Sequence, residues 1–259
     1  MKHLFYKYQG TGNDFVMIDN RLGAFDKNNT DLIAHLCNRR TGVGADGLIL
    51  LESESDYDFR MVYFNADGNE STMCGNGGRC IVAFANFLGI IEESTEFIAI
   101  DGPHLARIDE AYVELKMQEV STVTSNELYH ILDTGSPHYV ALQSGLQAID
   151  MNVEGSKIRH SAPFDISGVN VNFAEKINED TFAIRTYERG VEGETLSCGT
   201  GATAVAIAMF HSGQTKSKSI TLEAQGGDLN VRFEPRSSSY SDVWLCGPTQ
   251  QVFKGNLEW

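Results

Sequence analysis

Short runs rich in β-branched and aromatic residues, each bounded by Gly, Asn or Asp, recur along most of the chain and predict strands. In the first half they fall at 4–8, 15–19, 47–52, 58–65, 96–100, 104–108 and 112–117. In the second half they fall at 127–133, 167–175, 181–187, 220–224, 229–233 and 242–246. Two stretches, 78–88 and 202–212, break the pattern because they are apolar nearly all round and leave no polar stripe. A helix hydrophobic on every side is a buried helix, so each half is expected to wrap a sheet around one central helix. Gly89 and Gly213 stand where a left-handed helix cap belongs. Lesser helices are expected near 30–40 and 139–149, and residues 235–241, rich in Ser, read as a mobile hairpin insertion.

The halves are copies. A shift of 124 positions carries Cys74-Gly75-Asn76-Gly77-Gly78 onto Cys198-Gly199-Thr200-Gly201-Ala202, Tyr63 onto Tyr187, Glu70 onto Glu194 and Gly89 onto Gly213. Phe15-Val16 matches Tyr139-Val140 at the same shift, and Thr11-Gly12-Asn13 resembles Thr134-Gly135-Ser136. Repeats of this length are duplicated domains rather than solenoid units. The fold expected is therefore α+β: two pseudo-symmetric domains, each a mostly antiparallel, barrel-like sheet around a buried helix. Domain boundaries are placed at 1–118, completed by a strand at 248–259, and 119–247.

Composition narrows the function. A formal net charge of −15 argues against nucleic acid or an anionic membrane as partner, since both require clustered Lys and Arg. No apolar run approaches a membrane span, and MKHLFYKYQG lacks a signal peptide's apolar segment, so a cytoplasmic protein is expected. Five cysteines, Cys37, Cys74, Cys80, Cys198 and Cys246, are an odd number in a chain too large to need disulfide staples and read as thiols. Cys37, Cys80 and Cys246 read as small core residues, and no zinc-like spacing, dinucleotide fingerprint or P-loop is present; neither a metal nor a cofactor is expected.

Cys74 and Cys198 differ from the other three in opening glycine-rich turns at the starts of the buried helices. The N–H groups of a helix start and its partial positive charge stabilise an anion, lowering a thiol's pKa and binding a substrate carboxylate. Two such starts facing each other across a cleft would hold one carboxylate and place a sulfur on either face of the adjacent carbon. That arrangement suits inversion of a stereocentre: one sulfur, as thiolate, removes a proton and the other, as thiol, delivers one.

At these motifs, and at Gly10-Thr11-Gly12-Asn13-Asp14-Phe15, Gly42-Val43-Gly44-Ala45-Asp46-Gly47, Phe64-Asn65-Ala66-Asp67-Gly68 and Tyr187-Glu188-Arg189-Gly190, the chain resembles the diaminopimelate epimerase family nearly end to end. The resemblance implies an active site in the interdomain cleft, interconversion of LL- and meso-2,6-diaminopimelate without a cofactor in lysine and peptidoglycan precursor synthesis, and a homodimer. It implies Cys74 and Cys198 as the acid/base pair, with His138 and Glu188 assisting their proton exchange. It further implies Asn13, Asn65, Asn170 and Arg189 as substrate-binding side chains, with Gly75-Asn76 and Gly199-Thr200 supplying amides to the reacting carboxylate. Two positions depart from the family: Ser136 replaces an Asn, and Gly47 replaces a Gln found in some members. The competing readings are a proline or hydroxyproline racemase of the same two-cysteine architecture, and a non-catalytic thiol redox or ligand-binding module.

Overall fold

A computed structural model describes residues 2–258 of the chain. They divide into two compact units, one running to Leu115 and resuming at Gly247, the other spanning Lys116–Cys246. The first unit contains β1 (Lys2–Gly10), β2 (Asn13–Asp19), α1 (Thr30–Cys37), β3 (Gly47–Glu52), β4 (Arg60–Asn65), β5 (Glu70–Ser71), α2 (Gly75–Phe87), β6 (Ser94–Ala99), β7 (Gly102–Asp109) and β8 (Tyr112–Lys116). The second contains β9 (Val123–Ser125), β10 (His130–Asp133), β11 (Pro137–Leu142), α3 (Met151–Arg159), β12 (Asn170–Lys176), β13 (Thr181–Glu188), β14 (Gly193–Thr195), α4 (Gly199–His211), β15 (Ser219–Ala224), β16 (Gly227–Pro235) and β17 (Tyr240–Pro248). A last strand, β18 (Gln250–Glu258), returns to the first unit.

The pairing pattern is the same in both. In the first unit β1 pairs antiparallel with β2, β2 parallel with β3, and β3 antiparallel with β4; β4 then meets β5 antiparallel and β6 parallel, and β6, β7 and β8 follow antiparallel. In the second, β10, β11, β12, β13, β14, β15, β16 and β17 repeat that series with the same directions. β9 lies beside β10 as β18 lies beside β1, from Lys2 opposite Glu258 to Gln9 opposite Gln250. Thus the chain's end supplies the first unit with the strand that the second takes from its own beginning.

Alternation decides which face each residue serves. Strands β6, β7 and β16 alternate buried and exposed positions, as a sheet with one wet face requires. β3, by contrast, is buried through Gly47–Leu51. Its Leu48 and Leu50 join Val16, Ile18, Val62 and Phe64 in a cluster with Ile33 and Leu36 of α1. Ile49, of opposite parity, points with Phe15 and Met61 toward Gly77 of α2. Helix α2 packs on β1, β2, β3 and β7, and α4 packs on β10, β11, β12, β13, β15 and β16, so each sheet wraps its helix.

Several sequence expectations are corrected. Residues 139–149 hold no α-helix: β11 is followed by a 3₁₀ turn at Leu146–Ala148, and the helix comes later, as α3. Its sequence, MNVEGSKIR, has little hydrophobic periodicity; a side-chain cap from Asp150 to Val153 N (3.1 Å) and the burial of Met151 hold it in place. The central helices begin three residues earlier than expected, at Gly75 and Gly199, with Cys74 and Cys198 as their N-caps. Helix α2 also carries a charge the pattern did not suggest, since Arg79 is fully buried. Gly89 and Gly213 follow the two helices with φ of +69° and +74°. Residues 236–239 form the turn of the β16–β17 hairpin, closed by Arg236 N–H to Ser239 O at 2.8 Å.

Candidate active site

In the first unit the site begins at a two-residue hairpin turn between β1 and β2. Thr11 and Gly12 both have positive φ, +50° and +85°, the conformation that matches the strands' right-handed twist. The turn delivers Asn13 to the start of α2, where Cys74 Sγ lies 3.7 Å from Asn13 Oδ1 and Asn76 Nδ2 donates to the same oxygen at 3.3 Å. Buried Arg79 ties turn to helix, donating to Thr11 Oγ1 (3.1 Å) and to Gly75 O (3.3 Å). The first bond of the α2 ladder runs from Gly78 N–H to Cys74 O at 2.7 Å. Consequently the amides of Gly75, Asn76 and Gly77 have no acceptor within the helix and point the positive end of its dipole past the sulfur.

The orientation of Asn13 has a cause. Its Nδ2 donates to Asp46 Oδ2 at 2.6 Å, which turns Oδ1 toward Cys74. Asp46 and Asp14 are held in turn by Arg39, and Asp14 also by Lys7 at 2.6 Å. Burial opposes ionisation of Asp14, but the hydrogen bonds from Arg39 and Lys7 outweigh it and bring its carboxyl down to about 2. Asn65 ends β4 exposed, opposite Gly47 of β3. A Cβ at Gly47 would fall 2.5 Å from Phe64 O and 2.6 Å from the Tyr63 ring, so the packing here admits only glycine.

In the second unit Cys198 is the N-cap of α4, nine-tenths buried, with its Sγ 3.5 Å from Thr200 Oγ1. The ladder again starts four residues on, from Ala202 N–H to Cys198 O at 2.9 Å. Thr134, in the β10–β11 turn, braces this start by donating to Thr200 O at 2.9 Å. Glu188 ends β13 and accepts from Thr195 Oγ1 at 2.6 Å. Next to it, Arg189 is exposed; its backbone N–H donates to Asn170 Oδ1 (2.8 Å) and its guanidinium reaches Ser167 O (2.9 Å) and Ser136 Oγ (3.4 Å). Asn170 Nδ2 also donates to Ser136 Oγ at 2.8 Å. The departure at Ser136 therefore ties Asn170 and Arg189 together through one hydroxyl.

His138, on β11, is fully buried. Burial, with Arg189's positive charge adding to it, pushes the imidazole down to about 3, so it is neutral at ordinary pH. Its Nδ1 lies 3.0 Å from Nδ2 of Asn172, a buried residue that sequence reasoning missed. The signal was available, because Asn172 stands two residues after Asn170 on one strand and so shares its face. The same side chain explains Gly201, whose Cβ would fall 2.5 Å from Asn172 Oδ1.

Cys37 and Cys80 are buried thiols that burial pushes up to about 12, too high for either to serve as a thiolate. Among the described residues no cluster of His, Cys, Asp and Glu has the arrangement of a metal site. No described helix is long and apolar enough to cross a membrane. What the two helix starts offer is acid/base chemistry at sulfur beside amides suited to a carboxylate.

Comparison with known proteins bears on this chemistry. A family model described as diaminopimelate epimerase matches residues 5–117 and 130–244, one segment for each half. A diaminopimelate epimerase from Flavobacterium psychrophilum is 56% identical over 253 residues, covering 97% of this chain and 99% of the relative. One from Chlorobaculum tepidum is 42% identical over 257 residues, covering 96% and 98%. Among solved structures, a PhzF-family phenazine biosynthesis protein from Bacillus anthracis superposes with a TM-score of 0.76 at 16% identity over the whole of both chains. A hydroxyproline epimerase from Agrobacterium vitis gives 0.68 at 15% identity, covering 99% of this chain and 91% of that one. At such identities these two carry the fold alone.

Proposed function

The chain belongs to the diaminopimelate epimerase family, and we propose that it interconverts LL- and meso-2,6-diaminopimelate by a two-base mechanism in which Cys74 and Cys198 exchange one proton each with the same α-carbon. The observation that carries this reading is the repeated helix start: a cysteine N-cap, three amides ahead of the ladder and a buried helix, once in each unit. One sulfur, as thiolate, takes the α-proton; the electron pair spreads into the adjacent carboxylate; the other sulfur, as thiol, gives its proton to the opposite face. After one turnover the thiol and thiolate have changed places, so the enzyme is ready for the reverse direction. Amides aimed at the carboxylate stabilise the growing charge, a contribution of about 3–4 kcal/mol per donor in comparable sites. Because the two thiols are coupled, their titration belongs to the pair.

In this reading His138 and Glu188 assist proton exchange at the sulfurs. Asn13, Asn65, Asn170 and Arg189 hold the substrate's polar groups, with Gly75, Asn76, Gly199 and Thr200 supplying backbone donors. Arg189, with its guanidinium anchored on Ser167 O and Ser136 Oγ, suits a carboxylate of the substrate. The product serves lysine and peptidoglycan precursor synthesis, and the working protein is a cytoplasmic homodimer.

Incubation with LL-diaminopimelate in deuterated water is the test. Early in the reaction the meso product is expected to carry deuterium at one α-carbon while the remaining substrate carries none, because the proton removed and the proton delivered sit on different sulfurs. Label appearing in proline and not in diaminopimelate would overturn the reading in favour of a proline racemase.

A further inference from the structure

We propose that Asn172 is a positioning residue that holds His138 in its Nε2–H tautomer, and that the backbone carbonyls of Tyr139 and Asn170, with Thr186 at the other end of the side chain, hold the Asn172 amide in the orientation this requires. The proposal rests on the reading that His138 assists the epimerisation.

The orientation of the Asn172 amide follows from its neighbours. One end of the side chain faces two backbone carbonyls, Tyr139 O at 2.9 Å and Asn170 O at 3.4 Å, and must be the NH₂ group. At the other end Thr186 Oγ1 donates to Oδ1 at 2.9 Å. Reversing the amide would set an oxygen against the two carbonyls, and Asn172 is fully buried, where such a repulsion is costly. The Nδ2–H group that faces His138 Nδ1 at 3.0 Å is therefore a donor, and Nδ1 accepts. A neutral imidazole carries one proton, which leaves it on Nε2.

Nε2 is buried and finds no hydrogen-bond partner among the described residues. A buried N–H without an acceptor is costly to keep, and such groups in native proteins usually have a task. This one is a neutral donor suited to an anion of the reaction, either a thiolate or the substrate's carboxylate. With the opposite tautomer, Nε2 would present a lone pair and repel both. The same Asn172 Oδ1 lies under Gly201 in the turn after Cys198, at 2.5 Å from the position of a Cβ there. One amide thus sets the imidazole and limits the helix start together.

The test uses the full-length protein labelled with ¹⁵N-histidine, with His138 assigned by loss of its signals in His138→Gln. Two-bond nitrogen–proton correlation is expected to show His138 neutral and protonated at Nε2. Asn172→Asp keeps the shape but places an acceptor at Nδ1, and is expected to move the proton to Nδ1 or add a second one there. With that change kcat should fall by about 10²-fold, the scale of a lost acid–base assist, while KM moves far less. Thr186→Val, which leaves the amide held by the two carbonyls alone, should keep the Nε2–H tautomer and show a smaller fall. A wild-type spectrum with the proton on Nδ1 would overturn the proposal, and needs no variant to fold. So would an inverted tautomer in Asn172→Asp with kcat retained. Absence of α-deuterium exchange in the wild type would instead remove the reaction assignment and leave the tautomer measurement standing.

Discussion

Cys74 and Cys198 cap helices of the same length at the same register, yet what supports them is of opposite character. Beneath Cys74 lies a charged network, Lys7, Arg39, Asp14 and Asp46, which turns one amide oxygen toward the sulfur. Beneath Cys198 lies a buried neutral one, Thr186, Asn172 and His138, where each member satisfies the next. A duplicated backbone fixes where a sulfur goes. The polar shell beneath it, free to diverge, decides what that sulfur meets.

The largest effect should come from the feature the two share. Cys74→Ser and Cys198→Ser are each expected to depress turnover by about 10³-fold, within the range of a lost general acid or base, with little change in far-ultraviolet circular dichroism. Steady-state rates in both directions check this. A full rate in either variant would show that one sulfur suffices and would end the two-base reading.

A smaller effect separates the two helix starts. Gly77 and Gly201 are equivalent in the repeat, but a Cβ at Gly77 meets the flexible Ile49 Cδ1 at 3.0 Å, while one at Gly201 meets the fixed Asn172 Oδ1 at 2.5 Å. Gly201→Ala should cost about 1–3 kcal/mol of stability through overpacking. In Gly77→Ala the small clash is largely offset by alanine's better helix propensity, roughly 0.5–1 kcal/mol. Denaturant unfolding of both variants measures the difference, and equal midpoints would mean that the buried Asn172 amide is no stiffer than the apolar side chains around Gly77.

The two units should also differ in acid sensitivity. His138 titrates near 6.5 when unfolded but at about 3 when folded, so below pH 6.5 the unfolded state binds the extra proton. Stability of the second unit then falls with pH, by up to about 1.4 kcal/mol per unit. His130, lowered by burial and by His211, adds a contribution of the same sign. Asp14, at about 2 folded against 3.8 unfolded, contributes stability that is present above pH 3.8 and lost only as pH falls toward 2. Between pH 6 and 4, amide exchange should therefore quicken in β12 and α4 before β1 and β2. Exchange that rose together in both units would contradict the contrast.

Much of this was legible in the chain. Apolar residues on every side marked both central helices, the 124-position shift aligned both cysteines, and most strands followed from β-branched runs. What escaped shares a cause. α3 has almost no periodic pattern and is fixed by a cap and a docking face; Arg79 is a charge inside an apolar helix; Asn172 shares a strand face with Asn170, but only its buried partners give it a role.

Sequence alone determined the duplicated architecture, the placing of a cysteine at each helix start and the kinship to the epimerase family, because these depend on local pattern and on order along the chain. Only the tertiary structure decided the proton on His138, the facing of Asn13 and the sharing of Ser136 between Asn170 and Arg189. Those depend on which buried donors and acceptors meet across strands and turns far apart in sequence, where every polar group must find a partner and a single amide orientation settles the rest.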